Sequence, residues 1–289
     1  MSPNNDDERR LPFAVLASAT PSFTQFLSTY APELLPGGQL RPVPGGSTGG
    51  GLELEHGTTI VAATYADGVV MAGDRRATLA SMISKRDVRK VFRTDEYSAA
   101  GISGTWSTAV EMIRLFSVEL EHFEKMEGRP LSLRGKANKL ATMVRGNLGA
   151  AMQGLVVVPL FAGYDEDTGQ GRIFSYDPAG GPSEEHQFYA IGSGSVFARG
   201  SLKKLYTQNM PMADAVLACV QALYDAADDD SATGGPDLTR QIFPVVATVT
   251  ADGFAWVSDA EAGRYTRAVV DERLRSPDGP KAQLNGAGA

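Results

Sequence analysis

Two kinds of hydrophobic spacing alternate along this chain from about residue 59 onward. Short runs rich in β-branched residues, bounded by turn residues, are typical of β-strands, and the first two form a predicted hairpin around Asp67-Gly68. The runs that predict strands are TIVAATY, VVMAG, KVFRT, YSAAGIS, VVVPLFAGY, GRIFSY, FYAIG, FPVVATV and FAWVS.

Helical spacing, with apolar residues three or four positions apart, appears in four stretches between these runs. Two are long, are separated by Gly128-Arg129-Pro130 and extend over 109–123 and 133–151, while 197–206 and 212–227 follow the later strands. Strands grouped in runs, with helices grouped between them, indicate an α+β domain in which helices cover antiparallel sheets.

The composition of the chain changes sharply near residue 52. Pro36–Gly51 has too few apolar side chains to offset the entropy of ordering it, so it is predicted to be a linker. Before the linker, one short amphipathic helix is predicted to begin after Ser22. Its apolar face would consist of Phe23, Phe26, Leu27 and Tyr30. A helix on such a tether is typical of a docking segment.

Composition excludes several classes of function. A net charge of −7 argues against binding to nucleic acid or to a membrane surface. The single cysteine, Cys219, cannot form an internal disulfide, and the three histidines have no zinc-ligand spacing with it, so we expect no metal or other cofactor and a reducing, cytoplasmic location. Leu11–Ala19 is similar to a signal peptide, but its apolar run is short and contains Pro12, so we do not expect export.

The first candidate for chemistry is His56-Gly57-Thr58-Thr59, where the leader meets the first strand. A threonine here has a simple alternative explanation, because threonine favours strands. The functional hypothesis is self-processing: Gly57 lets the backbone bend, and the Thr58 hydroxyl attacks the preceding carbonyl. Cleavage would free an α-amine with a pKa of about 7.7–8.0, which can act as the general base for the hydroxyl of the same residue.

Three further positions could support such a nucleophile. Asp74 and Lys90 could form an ion pair that favours the threonine alkoxide, although each is also explained as a turn or surface residue. Gly104 precedes a long helix, where its backbone N–H could face a developing oxyanion, or the segment is a plain turn capped by Thr105.

Together these positions resemble a catalytic proteasome β subunit, an N-terminal nucleophile hydrolase, from about Gly57 to about Val257. Segments such as MVRGNLGAAMQG and LYDAADDDSATGGPD resemble the actinobacterial form. The resemblance implies that Thr58 is the nucleophile, Asp74 and Lys90 its supporting pair, Gly104 the oxyanion donor, and Ser193, Asp230 and Thr233 the residues that position the amine. It implies a substrate site formed by Ala77, Thr78, Ser84, Val88, Ile102, Gly104 and Trp106.

The resemblance also implies a fold and an assembly. The fold is a four-layer α-β-β-α sandwich, with a propeptide at 1–57, a catalytic domain at 58–289 and a loose tail from about 275. The assembly stacks seven-membered β rings between rings of α subunits, and an ATP-dependent ring unfoldase supplies proteins tagged with a prokaryotic ubiquitin-like protein. Two alternatives stay open: a non-catalytic structural ring subunit, and a subunit of the simpler bacterial ATP-dependent threonine protease.

Overall fold

The computed structural model describes residues 57–79 and 82–279, together with Phe23 and Leu27 of the preceding segment. In this part of the chain the strands are β1 (Thr59–Tyr65), β2 (Gly68–Gly73), β3 (Ala77–Leu79), β4 (Met82–Lys85), β5 (Val91–Asp95), β6 (Ser98–Gly104), β7 (Val157–Asp165), β8 (Gln170–Tyr176), β9 (Pro182–Glu185), β10 (Phe188–Gly192), β11 (Val245–Thr250) and β12 (Gly253–Trp256). The helices are α1 (Trp106–Glu127), α2 (Leu133–Gly146), α3 (Leu148–Ala151), α4 (Ser195–Leu205), α5 (Met212–Asp229) and α6 (Asp259–Arg273).

Two five-stranded antiparallel sheets form the middle of the molecule. One has the strand order β10-β1-β2-β11-β12 and the other the order β5-β6-β7-β8-β9. β1 lies between two partners, because Val61 is opposite Ala72 of β2 and Ala190 of β10. This pairing holds the start of β1, and with it Thr58, in a rigid frame.

Helices cover the outer face of each sheet, which gives the domain four layers. Helices α4, α5 and α6 pack on the β1 sheet around a core that includes Val61, Leu202, Cys219 and Tyr265. Helices α1 and α2 pack on the other sheet around Phe116, Leu140 and Phe161. A third core, between the sheets, includes Ile60, Met71, Leu160, Ile173 and Val245. The predicted α-β-β-α sandwich is confirmed.

The apolar sequence of β1 follows from its position between two layers. Ile60 and Ala62 belong to the core between the sheets, whereas Val61 and Ala63 belong to the helix-covered core. Both faces of the strand are therefore buried, and Thr64 is its one residue that is more than marginally exposed. A strand buried on both faces has a nearly continuous apolar run instead of an alternating one.

The final helix, α6, is not among the predicted elements. It buries a narrow stripe that includes Tyr265 and Val269, while most of its other residues are polar. Its beginning does have a sequence signal, because Ser258 and Glu261 have the spacing of a capping box, and the Ser258 hydroxyl accepts a hydrogen bond from the Glu261 N–H at 3.2 Å.

Three short strands were also not predicted, because burial does not mark them. β3 and β4 pair only with each other, and the side chains of β4 are exposed. β9 is an edge strand whose Glu184 binds Arg172 of β8 at 2.7 Å. Pairing and a salt bridge, which leave no hydrophobic pattern, define these strands.

Two predicted boundaries are shifted. The hairpin turn consists of Ala66 and Asp67, because Gly68 already pairs with Tyr65 in the sheet. Position 68 requires glycine for another reason, since a Cβ there would lie 2.1 Å from the Val249 carbonyl oxygen. The second long helix is interrupted at Asn147, whose side-chain amide donates to the Leu155 carbonyl at 3.1 Å.

Gly171 lies where the backbones of the two sheets approach each other, and it offers a test of this packing. A Cβ there would lie 2.3 Å from the Gly68 carbonyl, so we expect Gly171→Ala to lower the free energy of unfolding by about 1–3 kcal/mol. Gly200→Ala in α4 is the control, because no described atom beyond its chain neighbours and its own helix backbone lies within 4 Å of where the new Cβ would be. The control should raise that free energy by about 0.5–1 kcal/mol. Urea unfolding followed by circular dichroism compares them, and equal midpoints would contradict the close approach.

Candidate active site

Thr58 lies directly before β1 and is 6% exposed. Its hydroxyl donates to the Gly57 carbonyl oxygen at 2.6 Å, and its own carbonyl accepts a hydrogen bond from the Ser193 N–H at 3.0 Å. Gly57 has a φ of 116°, and a Cβ there would lie 2.5 Å from Thr78 Oγ1. Only glycine fits this backbone and this space without strain, so the residue before Thr58 is determined by local geometry.

Lys90 and Asp74 form a buried ion pair beneath Thr58. Lys90 Nζ lies 2.9 and 3.1 Å from the two carboxylate oxygens, and the two residues are 2% and 1% exposed. The carboxylate also accepts backbone N–H groups from Thr59 at 2.8 Å and from Arg76 and Gly234 at 2.9 Å. A buried carboxylate with this many donors is well satisfied in its ionised form.

The Lys90 ammonium makes two further hydrogen bonds. Nζ donates to the Gly57 carbonyl oxygen at 2.7 Å and to the Arg76 carbonyl oxygen. With Asp74, these contacts use the three donors of the ammonium. Burial lowers the pKa of Lys90 below its ordinary value, and the neighbouring Asp74 carboxylate counteracts part of that shift.

Asp230 is the centre of a second polar cluster beside Thr58. Its Oδ2 accepts hydrogen bonds from the Ser193 and Thr233 hydroxyls, both at 2.6 Å, and its Oδ1 accepts the Ala232 N–H at 3.1 Å. Burial by itself would raise the pKa of Asp230, but these hydrogen bonds outweigh it, so the pKa lies below its ordinary value. The structure thus brings together the three residues that were predicted to position the amine.

Gly104 ends β6 with a φ of 106°, and a Cβ there would lie 2.1 Å from the Val156 carbonyl oxygen. Gly192 lies between this turn and Thr58. A Cβ on Gly192 would lie 1.8 Å from the Thr58 carbonyl oxygen and 3.3 Å from Oγ of Ser103, the residue before Gly104, so the turn adjoins the site. Thr105 is the N-cap residue of α1, but its side chain makes no capping hydrogen bond. Thr105 is therefore the N-cap residue, as the alternative interpretation of a plain turn states, and the oxyanion role of Gly104 stays a prediction.

The predicted substrate residues lie in two places. Ala77 and Thr78 are in β3, beside Gly57, while Ser84 in β4 is exposed. Val88 is buried, and its N–H bonds to the Arg75 carbonyl at 2.9 Å. Of the remaining three, Ile102 belongs to the core beneath α1, Gly104 ends β6, and Trp106, the first residue of α1, is partly buried and packs against that core.

Three residues with roles in this geometry were missed from sequence. Thr59 contributes its N–H and its hydroxyl, Gly234 contributes an N–H, and Arg76 donates its N–H to Asp74 at 2.9 Å and accepts from Lys90 through its carbonyl oxygen. The contacts of Gly234 and Arg76 involve backbone atoms, which any residue type provides, so composition and spacing carry no signal for them.

The described residues include no group of three or more His, Cys, Asp and Glu that could hold a metal ion. Among the described helices, none has both the length and the apolar character that a membrane span requires.

Comparison with known proteins agrees with this geometry. A family model described as proteasome subunit matches residues 54–237. A proteasome subunit beta from Streptosporangium roseum is 62% identical over 268 residues, which cover 92% of this chain and 93% of the relative. Those from Streptomyces griseus subsp. griseus (55% over 284 residues, 98% and 100%) and Stackebrandtia nassauensis (58% over 274 residues, 93% and 97%) are similar. The chain therefore belongs to the proteasome subunit family, as a catalytic β subunit and a threonine protease.

Proposed function

We propose that Thr58 is the nucleophile and becomes the mature N-terminus when the chain removes residues 1–57 by cutting its own Gly57–Thr58 bond. The observation that carries this proposal is the Gly57 carbonyl oxygen, which accepts hydrogen bonds from the Thr58 hydroxyl at 2.6 Å and from Lys90 Nζ at 2.7 Å. A nucleophile and an ammonium meet at the one peptide bond whose cleavage frees Thr58.

Processing would proceed in two steps. The Thr58 hydroxyl turns from the carbonyl oxygen to the carbonyl carbon of Gly57, the new C–O bond forms, the C–N bond breaks, and the hydroxyl proton passes to the nitrogen. Lys90 stabilises the negative charge on the oxygen during this shift. Water then hydrolyses the ester, which leaves a carboxylate on Gly57 and a free amine and hydroxyl on Thr58.

Peptide hydrolysis would use the same residues. The α-amine of Thr58, with a pKa of about 7.7–8.0, takes the hydroxyl proton, and Lys90, held by Asp74, stabilises the alkoxide. Ser193, Asp230 and Thr233 orient the amine, and the Gly104 N–H binds the oxyanion of the acyl-enzyme step. The saturated Lys90–Asp74 pair supports an active subunit over a structural one, because an inert ring subunit would not need a buried charge pair beneath its first strand.

Substrates would bind as extended chains along Thr78 and Gly104, with a side-chain pocket formed by Ala77, Ser84, Val88, Ile102 and Trp106. Thr78 Oγ1 lies 2.5 Å from where a Cβ on Gly57 would be, so Gly57 lies beside β3 before cleavage. In this proposal Gly57 occupies the position that the last residue of a cleaved product would take. We propose an endopeptidase of unfolded proteins.

Family membership implies assembly into ring oligomers with other proteasome subunits. We propose that these are stacked seven-membered rings with α subunits, in the cytoplasm, and that an ATP-dependent ring unfoldase feeds them proteins tagged with a prokaryotic ubiquitin-like protein. The net charge of −7 supports protein substrates over nucleic acid or membrane partners.

The leader is proposed to dock on the folded domain before its removal. Its two described residues, Phe23 and Leu27, are both helical, as the spacing predicts, while Phe26 and Tyr30 of the same predicted face lie outside the described residues. The Phe23 ring lies 5.9 Å from the His122 ring of α1, and Leu27 is 6% exposed. These contacts support a docked leader helix.

Thr58→Ala should leave residues 1–57 attached and abolish turnover, because no hydroxyl remains to attack Gly57 or a substrate. Thr58→Ser, which keeps the hydroxyl, is the matched control and should still be processed. Intact-mass analysis and hydrolysis of a fluorogenic peptide measure both effects. A Thr58→Ala chain that turns over substrate would refute the assignment.

Activity should fall at alkaline pH as Lys90 loses its proton, and the fall should begin below the range of an ordinary lysine, because burial lowers the pKa of Lys90. Asp74→Asn removes the neighbouring negative charge, so it should move this limb to lower pH and slow processing by about 10²–10³.

The pH dependence of stability should have the opposite sign to that of activity. The unfolded chain binds the Lys90 proton more tightly, so the free energy of unfolding contributed by this group rises with pH between the folded and unfolded pKa values.

Asp87→Asn is the control for the preceding substitution. Asp87 pairs with Arg75 at 2.7 Å, but its side chain is 61% exposed, and within the described part of the chain it forms no hydrogen bond or ion pair with Thr58 or Lys90. Processing rates and kcat measured from pH 6 to 10 should separate the variants. If Asp74→Asn retains the wild-type pH profile, the carboxylate does not control the ammonium.

A further inference from the structure

Thr59 connects the two polar clusters on either side of Thr58. Its backbone N–H donates to Asp74 Oδ1 at 2.8 Å, and its hydroxyl lies 2.6 Å from Thr233 Oγ1 and 3.1 Å from the Gly194 nitrogen. Thr59 and Thr233 are both 0% exposed. One residue therefore touches the Lys90 side of the site through its backbone and the Asp230 side through its side chain.

The direction of these hydrogen bonds follows from counting protons. The Gly194 N–H is a donor, so Thr59 Oγ1 accepts there. Thr233 spends its one hydroxyl proton on Asp230 Oδ2, at 2.6 Å. Because each hydroxyl has a single proton, the Thr59 proton must point to Thr233 Oγ1. The result is a directed chain that runs from the Gly194 N–H through Thr59 and Thr233 to the Asp230 carboxylate.

We infer that Thr59 is a positioning residue for the nucleophile, acting through this hydrogen-bond chain. Thr58 is joined to Thr59 by a peptide bond, so anchoring Thr59 on both sides fixes the direction from which the Thr58 hydroxyl and, after cleavage, its amine face Asp230 and Lys90. The inference rests on the proposed function of Thr58. It adds a residue that touches neither the substrate nor the reacting atoms.

A purely structural explanation makes a different prediction. Threonine favours strands, and its methyl group fills space in β1, so a structural residue would be sensitive to the loss of shape. The hydrogen-bond chain is instead sensitive to the loss of the hydroxyl. Valine keeps the shape and loses the hydroxyl, whereas serine keeps the hydroxyl and loses the methyl group. The two substitutions therefore separate the explanations.

The experiment compares Thr59→Val with Thr59→Ser in the full chain assembled with its partner subunits. We expect Thr59→Val to slow removal of residues 1–57 and to lower kcat by about tenfold to a hundredfold, because the nucleophile is misplaced. KM should stay within about twofold, since ground-state binding is unchanged. The acidic limb of the kcat profile, which reports the Thr58 amine, should shift. Thr59→Ser should restore all three quantities.

A Thr59→Val chain with wild-type processing, kcat and pH profile would overturn the inference, and so would equal losses in the valine and serine variants. If Thr59→Val does not fold, Thr233→Val against Thr233→Ser breaks the chain at its next link, and the same pattern is expected. Where both valine variants fold, the double variant should be no worse than the more affected single one. Fully multiplicative losses would contradict a shared chain.

The proposed function can fail separately. If Thr58→Ala is processed and active, the nucleophile assignment fails, whatever the Thr59 variants do. If Thr58→Ala is inert and Thr59→Val behaves as wild type, only the positioning role fails.

Discussion

A lysine ammonium and an aspartate carboxylate are buried together beneath Thr58, the residue directly before β1, and the rest of the site depends on this pair. Removing two charges from water is costly, and the attraction between them compensates only when their remaining donors and acceptors are satisfied. Asp74 meets this condition with N–H groups from Thr59, Arg76 and Gly234. Lys90 meets it with two backbone carbonyl oxygens. The pair therefore requires several backbone segments to converge at one point.

The four-layer sandwich supplies that convergence. Asp74 follows β2, Lys90 precedes β5, and Gly234 lies 160 residues beyond Asp74, in the loop after α5. Because both sheets are covered on their outer faces and packed on each other, these strand ends are held in place while the site stays at an edge of the layers. Small residues keep the sheets close, as at Gly101, where a Cβ would lie 2.4 Å from Ile60 Cγ2.

Under the proposed function, the geometry around Gly57 links maturation to catalysis. In the uncut chain the Lys90 ammonium binds the Gly57 carbonyl oxygen, and the Thr58 hydroxyl binds the same oxygen. After cleavage these groups would be released for a substrate carbonyl in a similar position. Under the proposed mechanism, one arrangement of charges would serve a single self-cleavage first and repeated peptide hydrolysis afterwards, so no large rearrangement of the buried pair is required.

The sequence by itself determined the strands and helices with strong hydrophobic spacing. Through a family resemblance it also predicted Thr58, Asp74 and Lys90, which the structure brings together at one site. It did not determine α6, whose apolar stripe is narrow, or β3, β4 and β9, which lack buried faces. Only the tertiary structure decided that Thr59 connects the two polar clusters and that Arg76 and Gly234 hold Asp74. These contacts join backbone atoms and hydroxyls from distant parts of the chain, and such atoms acquire a specific partner only when the sheets and loops have packed.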